Sequence, residues 1–123
     1  MSPLKSFLAV LIAMLFCVTF TSNTAFANEE SEVHYKKGDE YYKANQYSDA
    51  LMEYQKAMEI DPNVYKYPND AGWSLYFMEK YDEAEEYFNQ ALKLHKDYPN
   101  SIRGLALIHQ KQGKLDQAKD EFN

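Results

Sequence analysis

The residue types that carry chemistry are sparse in this chain, and their spacing does not assemble a site. His34, His95 and His109 lie far apart, and none stands four residues from another histidine or inside a carboxylate-rich ligand motif. A helical metal site needs such pairs, because only side chains about one turn apart share a face. The three imidazoles therefore read as solvated or partly packed. The acidic run Asp82-Glu83-Glu85-Glu86 suits a first helical turn, where negative charge is favoured, and reads as a solvated face. No Gly-rich phosphate loop, nucleophile elbow or Ser/His/Asp set is present. The sequence thus predicts no enzyme, no cofactor and no metal, and a function exercised by binding.

Charge narrows the partner. The 123 residues hold 13 Lys and Arg against 19 Asp and Glu, a formal charge of −6. Nucleic-acid affinity comes largely from Lys and Arg neutralising phosphates, so an acidic chain is not expected to bind DNA or RNA. Eleven tyrosines, seven phenylalanines and the single Trp73 are instead material for protein contacts. Many tyrosines will only be packed with the hydroxyl at the surface.

A spacing says what must position these side chains. Ala50, Ala84 and Ala118 are 34 residues apart, as are Tyr54, Phe88 and Phe122, and Gly38 and Gly72; Ala57 and Ala91 keep the same step. A fixed period of this length marks stacked supersecondary units. Glycine inside a helix costs about 1 kcal/mol relative to alanine, so close helix packing is the reason to keep Gly38 and Gly72, with Ala106 at the third such place. Tyr54, Phe88 and Phe122 are the large partners between units. Asn45-Gln46, Glu79-Lys80 and Gln112-Gly113-Lys114 fall where turns should separate two helices, with Ser48, Asp82 and Asp116 near the start of each second helix. Asp61-Pro62-Asn63 closes the first unit, Pro99 opens the third, and Pro68 delays the second unit's first helix to near Tyr67 or Pro68.

The pattern resembles the tetratricopeptide repeat (TPR) family. Gly38, Tyr41, Tyr47, Ala50, Tyr54, Ala57 and Pro62 match it over about 31–64; Gly72, Tyr81, Ala84, Phe88 and Ala91 over about 65–98; Ala106, Leu115, Ala118 and Phe122 from Pro99 onward. Lys96 stands where the family usually has proline. The resemblance implies an all-α solenoid of antiparallel helix pairs, about three units with the third truncated or uncapped. It also implies a concave groove lined by first helices, in which a peptide or protein segment lies. The matching inward positions are Glu32, Tyr35, Asp39, Tyr42 and Lys43; then Asn69, Trp73, Tyr76 and Phe77, with Lys66 just outside; then Asn100, Arg103, Leu107, Gln110 and Lys111. Trp73, Tyr42, Tyr76 and Tyr35 are the expected contacts, Trp73 foremost, whereas Tyr41, Tyr47, Tyr54, Tyr81 and Tyr87 match structural places. Some members grip chaperone C-terminal carboxylates with a Lys/Asn/Arg clamp. Here the matching positions are Tyr35, Asp39, Asp70, Asn100 and Gly104, which would not hold a carboxylate, so that role is disfavoured.

The N-terminus is a different object. Lys5 is the only charge in residues 1–27, Phe7 to Phe20 is an almost unbroken apolar run of 14, and Ala25-Phe26-Ala27 places small residues where a signal peptidase reads. A signal peptide cut after Ala27 is expected, giving a periplasmic or secreted domain over 28–123 with no stable membrane span. The alternative is an uncleaved tether, weakened because a spanning helix needs about 20 apolar residues. Cys17, the only cysteine, lies inside the signal after a bulky Phe16, which disfavours lipidation and leaves the mature chain without thiols. Without Lys5 the mature charge is near −7. No polar capping helix follows Phe122. The C-terminal unit would then mediate self-association or envelope-complex assembly, or the chain is an N-terminal fragment of a larger protein.

Overall fold

The computed structural model describes residues 3–121, with backbone alone for 15–23, 115 and 117–121. Among them the chain forms five helices and no strand: α1 (Pro3–Lys43), α2 (Tyr47–Ile60), α3 (Lys66–Phe77), α4 (Tyr81–Leu94) and α5 (Pro99–Glu121). Each packs on its neighbours in the chain, and α3 also meets α5, so the architecture is an α-solenoid of antiparallel pairs.

The first two turns are built alike. Asn45 (φ 60°) and Glu79 (φ 61°) adopt the left-handed conformation. Around them Asn45 N–H donates to Tyr42 O and Gln46 N–H to Tyr41 O, mirrored by Glu79 to Tyr76 and Lys80 to Leu75. This is the Schellman closure, which satisfies carbonyls left open at a helix end. The following helices start without a side-chain cap, at Gln46 and Lys80. Ser48 and Asp82 thus sit inside the first turns rather than capping them.

Packing follows the small and large residues. Ala50, Ala57, Ala84 and Ala91 are fully buried. A Cβ on Gly38 would lie 2.6 Å from the Tyr54 ring, and one on Gly72 2.8 Å from Phe88. Either contact is closer than carbon atoms tolerate, so both glycines are required by ring packing. α3 starts at Lys66, a residue or two before the expected position, with the buried Pro68 in its first turn.

The third unit differs from expectation. α5 runs unbroken through Gln112-Gly113-Lys114, where a turn was predicted, and Asp116 is helical. A Cβ on Gly113 would meet nothing within 4 Å, and Ala106, predicted to be a packing position, is exposed. Among the described residues no ring closes onto Gly113, and continuation keeps the backbone hydrogen-bonded without reversing the chain. The small residue α5 does use is Gly104, whose Cβ would fall 2.5 Å from Phe88. The predicted partner Phe122, and the side chains of Leu115 and Ala118, lie outside what is described.

Two polar clusters tie the elements together. Glu53 of α2, 3% exposed, meets His34 Nδ1 at 2.6 Å, Lys56 Nζ at 3.0 Å and Lys37 Nζ at 3.3 Å. The His34 hydrogen bond, with lesser help from the lysines, outweighs burial and holds the Glu53 carboxyl down at about 2. Farther along, Ser101 Oγ donates to Asn69 Oδ1 (2.9 Å) and Asn69 Nδ2 to Asp70 Oδ1 (2.7 Å), stitching α5 to α3.

Candidate peptide-binding cleft

α1, α3 and α5 bring side chains from all three units to one cleft of about 360 Å³. Tyr35, Asp39, Tyr42 and Lys43 come from α1, Asp70, Trp73 and Phe77 from α3, and Asn100 and Arg103 from α5, with the Tyr54 ring from α2. The first helices share a direction, so residues one unit apart stand side by side, and the period becomes a row of side chains across the groove.

The rings of the cleft fall into two groups, Tyr42–Phe77–Trp73 and Tyr35–Tyr54. Tyr42 and Phe77 centroids are 6.0 Å apart, Trp73 and Phe77 6.2 Å, and Tyr35 and Tyr54 5.7 Å, within the range at which rings attract beyond their buried area. Arg103 lies over the Trp73 ring at 5.0 Å, a cation–π contact, and donates to Asn100 Oδ1. Burial pushes the Tyr42 hydroxyl up to about 12, helped by Tyr47.

Two carboxylates organise the polar part. The Tyr35 hydroxyl donates to Asp70 Oδ2 at 2.7 Å, and the Tyr54 hydroxyl to Asp39 Oδ1 at 2.8 Å. Both phenols are held above their usual range, first by burial and then by these acids. Asp70 is raised by burial and by Asp39, against hydrogen bonds from Tyr35 and Asn69. The phenols therefore stay protonated donors, and the cleft offers aromatic faces, fixed acceptors and two flanking cations.

Of the residues singled out from the sequence, Tyr35, Asp39, Tyr42, Lys43, Trp73, Phe77, Asn100 and Arg103 meet in this cleft. The others do not line it. Asn69 is 1% exposed, buried by its bonds to Asp70 and Ser101. Tyr76 packs between Trp73 and Tyr81 at 5.5 and 5.6 Å, and Leu107 covers the Trp73–Phe88 cluster. Lys111 and Gln110 are exposed farther along α5, and Glu32 and Lys66 edge a separate hollow beside Tyr65 and Tyr67. Trp73 itself is more buried than expected, 7% exposed and edge-on to Phe88 at 5.3 Å, because its indole reaches the joint between units. A larger hollow of about 640 Å³ lies at Glu79–Glu83, Gln112 and Asp116, and among the described residues Tyr81 is the one ring lining it.

Tyr54 and Asp70 were not chosen as groove residues. The signal for Tyr54 was its hydroxyl, which a ring in a dry core has no use for; Asp70 was visible only as a residue unable to hold a carboxylate.

A solenoid whose first helices line a cleft is a scaffold for holding polypeptide. Family models described as TPR repeat and tetratricopeptide repeat match residues 38–64 and 78–123, and the chain belongs to the tetratricopeptide repeat family. It is 29% identical over 96 residues to RNA polymerase II-associated protein 3 of Xenopus tropicalis, covering 76% of this chain and 14% of that protein. It is 27% identical over 100 residues to the photosystem I assembly protein Ycf3 of Rippkaea orientalis, covering 76% and 54%. The chain thus spans from about a seventh to about half the length of these relatives. Among solved structures it is similar to the first TPR of Spaghetti (RPAP3) bound to the HSP90 peptide SRMEEVD, with a TM-score of 0.68, 25% identity and 77% of each chain covered. It also resembles the Arabidopsis OM64 TPR domain in fold, with a TM-score of 0.69, 20% identity and coverage of 78% and 79%.

Proposed function

We propose that this chain is a non-catalytic adaptor that holds an extended peptide or protein segment in the cleft between α1, α3 and α5. The observation that carries the reading is the convergence of Tyr35, Tyr42, Trp73, Phe77 and Arg103, drawn from three units, on one concave surface. Such aromatic and arginine clusters dominate binding energy, and a related TPR is known with a peptide bound. The test is selection of a displayed random-peptide library on the full chain. Phe77→Ala, which removes an exposed ring of the cleft, should weaken the selected peptides by about 2 kcal/mol or more with helix content retained. Peptides indifferent to that substitution, or no enrichment, would overturn the reading.

The domain works outside the cytoplasm in this proposal. What supports it is the apolar run closing on Ala25-Phe26-Ala27. Leu4, Phe7, Ile12 and Phe26 are exposed along α1, and among the described side chains the first buried one is Ser31, so the described part of the leader adds none to the repeat core. Among the described residues no helix is long and apolar enough to cross a membrane. N-terminal sequencing of the envelope or secreted fraction should begin at Asn28; Met1 retained in a membrane pellet would mean a tether instead.

A further inference from the structure

The polar part of the cleft has the wrong sign for the acidic peptide its structural relative holds. SRMEEVD carries two glutamates and an aspartate, whereas here Asp39 and Asp70 line the cleft. Each accepts a phenolic hydrogen bond, and among the described residues neither has a Lys, Arg or His nitrogen within 4.0 Å. The cations nearby are placed otherwise. Arg103 lies over Trp73 and donates to Asn100, Lys43 is exposed in the last turn of α1, and Lys66 reaches Asp70 only as a distant attraction. Burial first and then the neighbouring Asp39 raise the cost of charge on the half-buried Asp70, and among the described residues no counter-ion bonds either carboxylate.

Resting on the reading of this cleft as a peptide groove, we propose that it selects a peptide segment bearing a lysine or arginine, whose cationic head binds Asp39 and Asp70 while its stem lies along the Tyr35 ring. The phenolic hydroxyls are already committed to the acids, which leaves ring faces for an aliphatic stem and a cation. A charged donor to a fixed carboxylate makes the stronger class of hydrogen bond. A glutamate in the same place would face two negative charges.

Three measurements on the full chain decide it. Peptides enriched from the random library should carry Lys or Arg, and remaking a selected peptide with Gln at that residue should weaken binding at least tenfold. On a chain carrying both Asp39→Asn and Asp70→Asn, that gap should close, because asparagine still accepts from the tyrosines but carries no charge; the Gln peptide keeps the test decisive if that variant folds poorly. Enriched peptides that require Phe77 yet are acidic or neutral, or that lose nothing with Gln, overturn the cation preference and leave the groove standing. Peptides indifferent to Phe77→Ala, or none enriched, overturn both.

Discussion

Tyr54 and Phe88 occupy the same place in consecutive units, 34 residues apart, and the two joints they make differ in kind. Phe88 is fully buried, with Gly72 and Gly104 each too close to its ring to accept a side chain. Tyr54 is almost as buried and lies against Gly38, but its hydroxyl emerges to bond Asp39 and its ring lines the cleft. Where the second joint has Gly104 in the next helix, the first has Asp70, one period earlier. The period sets where the ring goes. The atom at its tip, and the residue one unit on, decide whether the joint belongs to the core or to the binding surface.

That contrast is breakable. Phe88→Ala empties the dry joint and should cost about 3–5 kcal/mol, read as a collapse of the thermal midpoint. Swapping the rings sharpens it: Phe88→Tyr buries a hydroxyl with no partner and should cost about 1–3 kcal/mol, while Tyr54→Phe should cost only about 1 kcal/mol and show mainly in peptide binding. Equal losses would mean that the two joints are alike after all.

The units also differ beside those rings. Glu53 with His34, Lys37 and Lys56 braces α1 to α2, whereas position 87, one period on, is a tyrosine accepting a hydrogen bond from Gln55. Glu53 titrates at about 2 when folded against a reference of 4.5. A depressed carboxyl stabilises above the unfolded value, and that stability drains as pH falls from about 4.5 through 2. Glu53→Gln should flatten the acid arm of the stability curve in that window. The smallest effect concerns the third unit: Gly113→Ala should stabilise α5 by no more than about 1 kcal/mol, visible as added helical circular dichroism. A loss of helix would reveal a left-handed turn at Gly113 like those at Asn45 and Glu79.

The helix pairs, their turns at Asn45 and Glu79, and the glycine-to-ring contacts were legible because each is a local requirement repeated at one period. Most of the cleft was legible too, since inward positions on first helices recur at that period. Asn69 was misplaced because the family match put it among the inward positions, while both polar atoms of its carboxamide are satisfied inside, Nδ2 by Asp70 and Oδ1 by Ser101. The straight α5 was missed because a turn signal at Gly113 needs a packed second helix to hold the reversal. The Glu53 cluster gave no periodic signal at all, being present in one unit only.

The solenoid's habit of joining each helix to its neighbour has a kinetic consequence. Gly38 and Tyr54, like Gly72 and Phe88, are only 16 residues apart, so the contacts that close each pair require short loops, and chains with such local contacts fold in microseconds to milliseconds. Folding can start in either pair and spread. The cleft, however, takes side chains from α1, α3 and α5 together, so the surface proposed for binding is complete only when the last of these helices has docked.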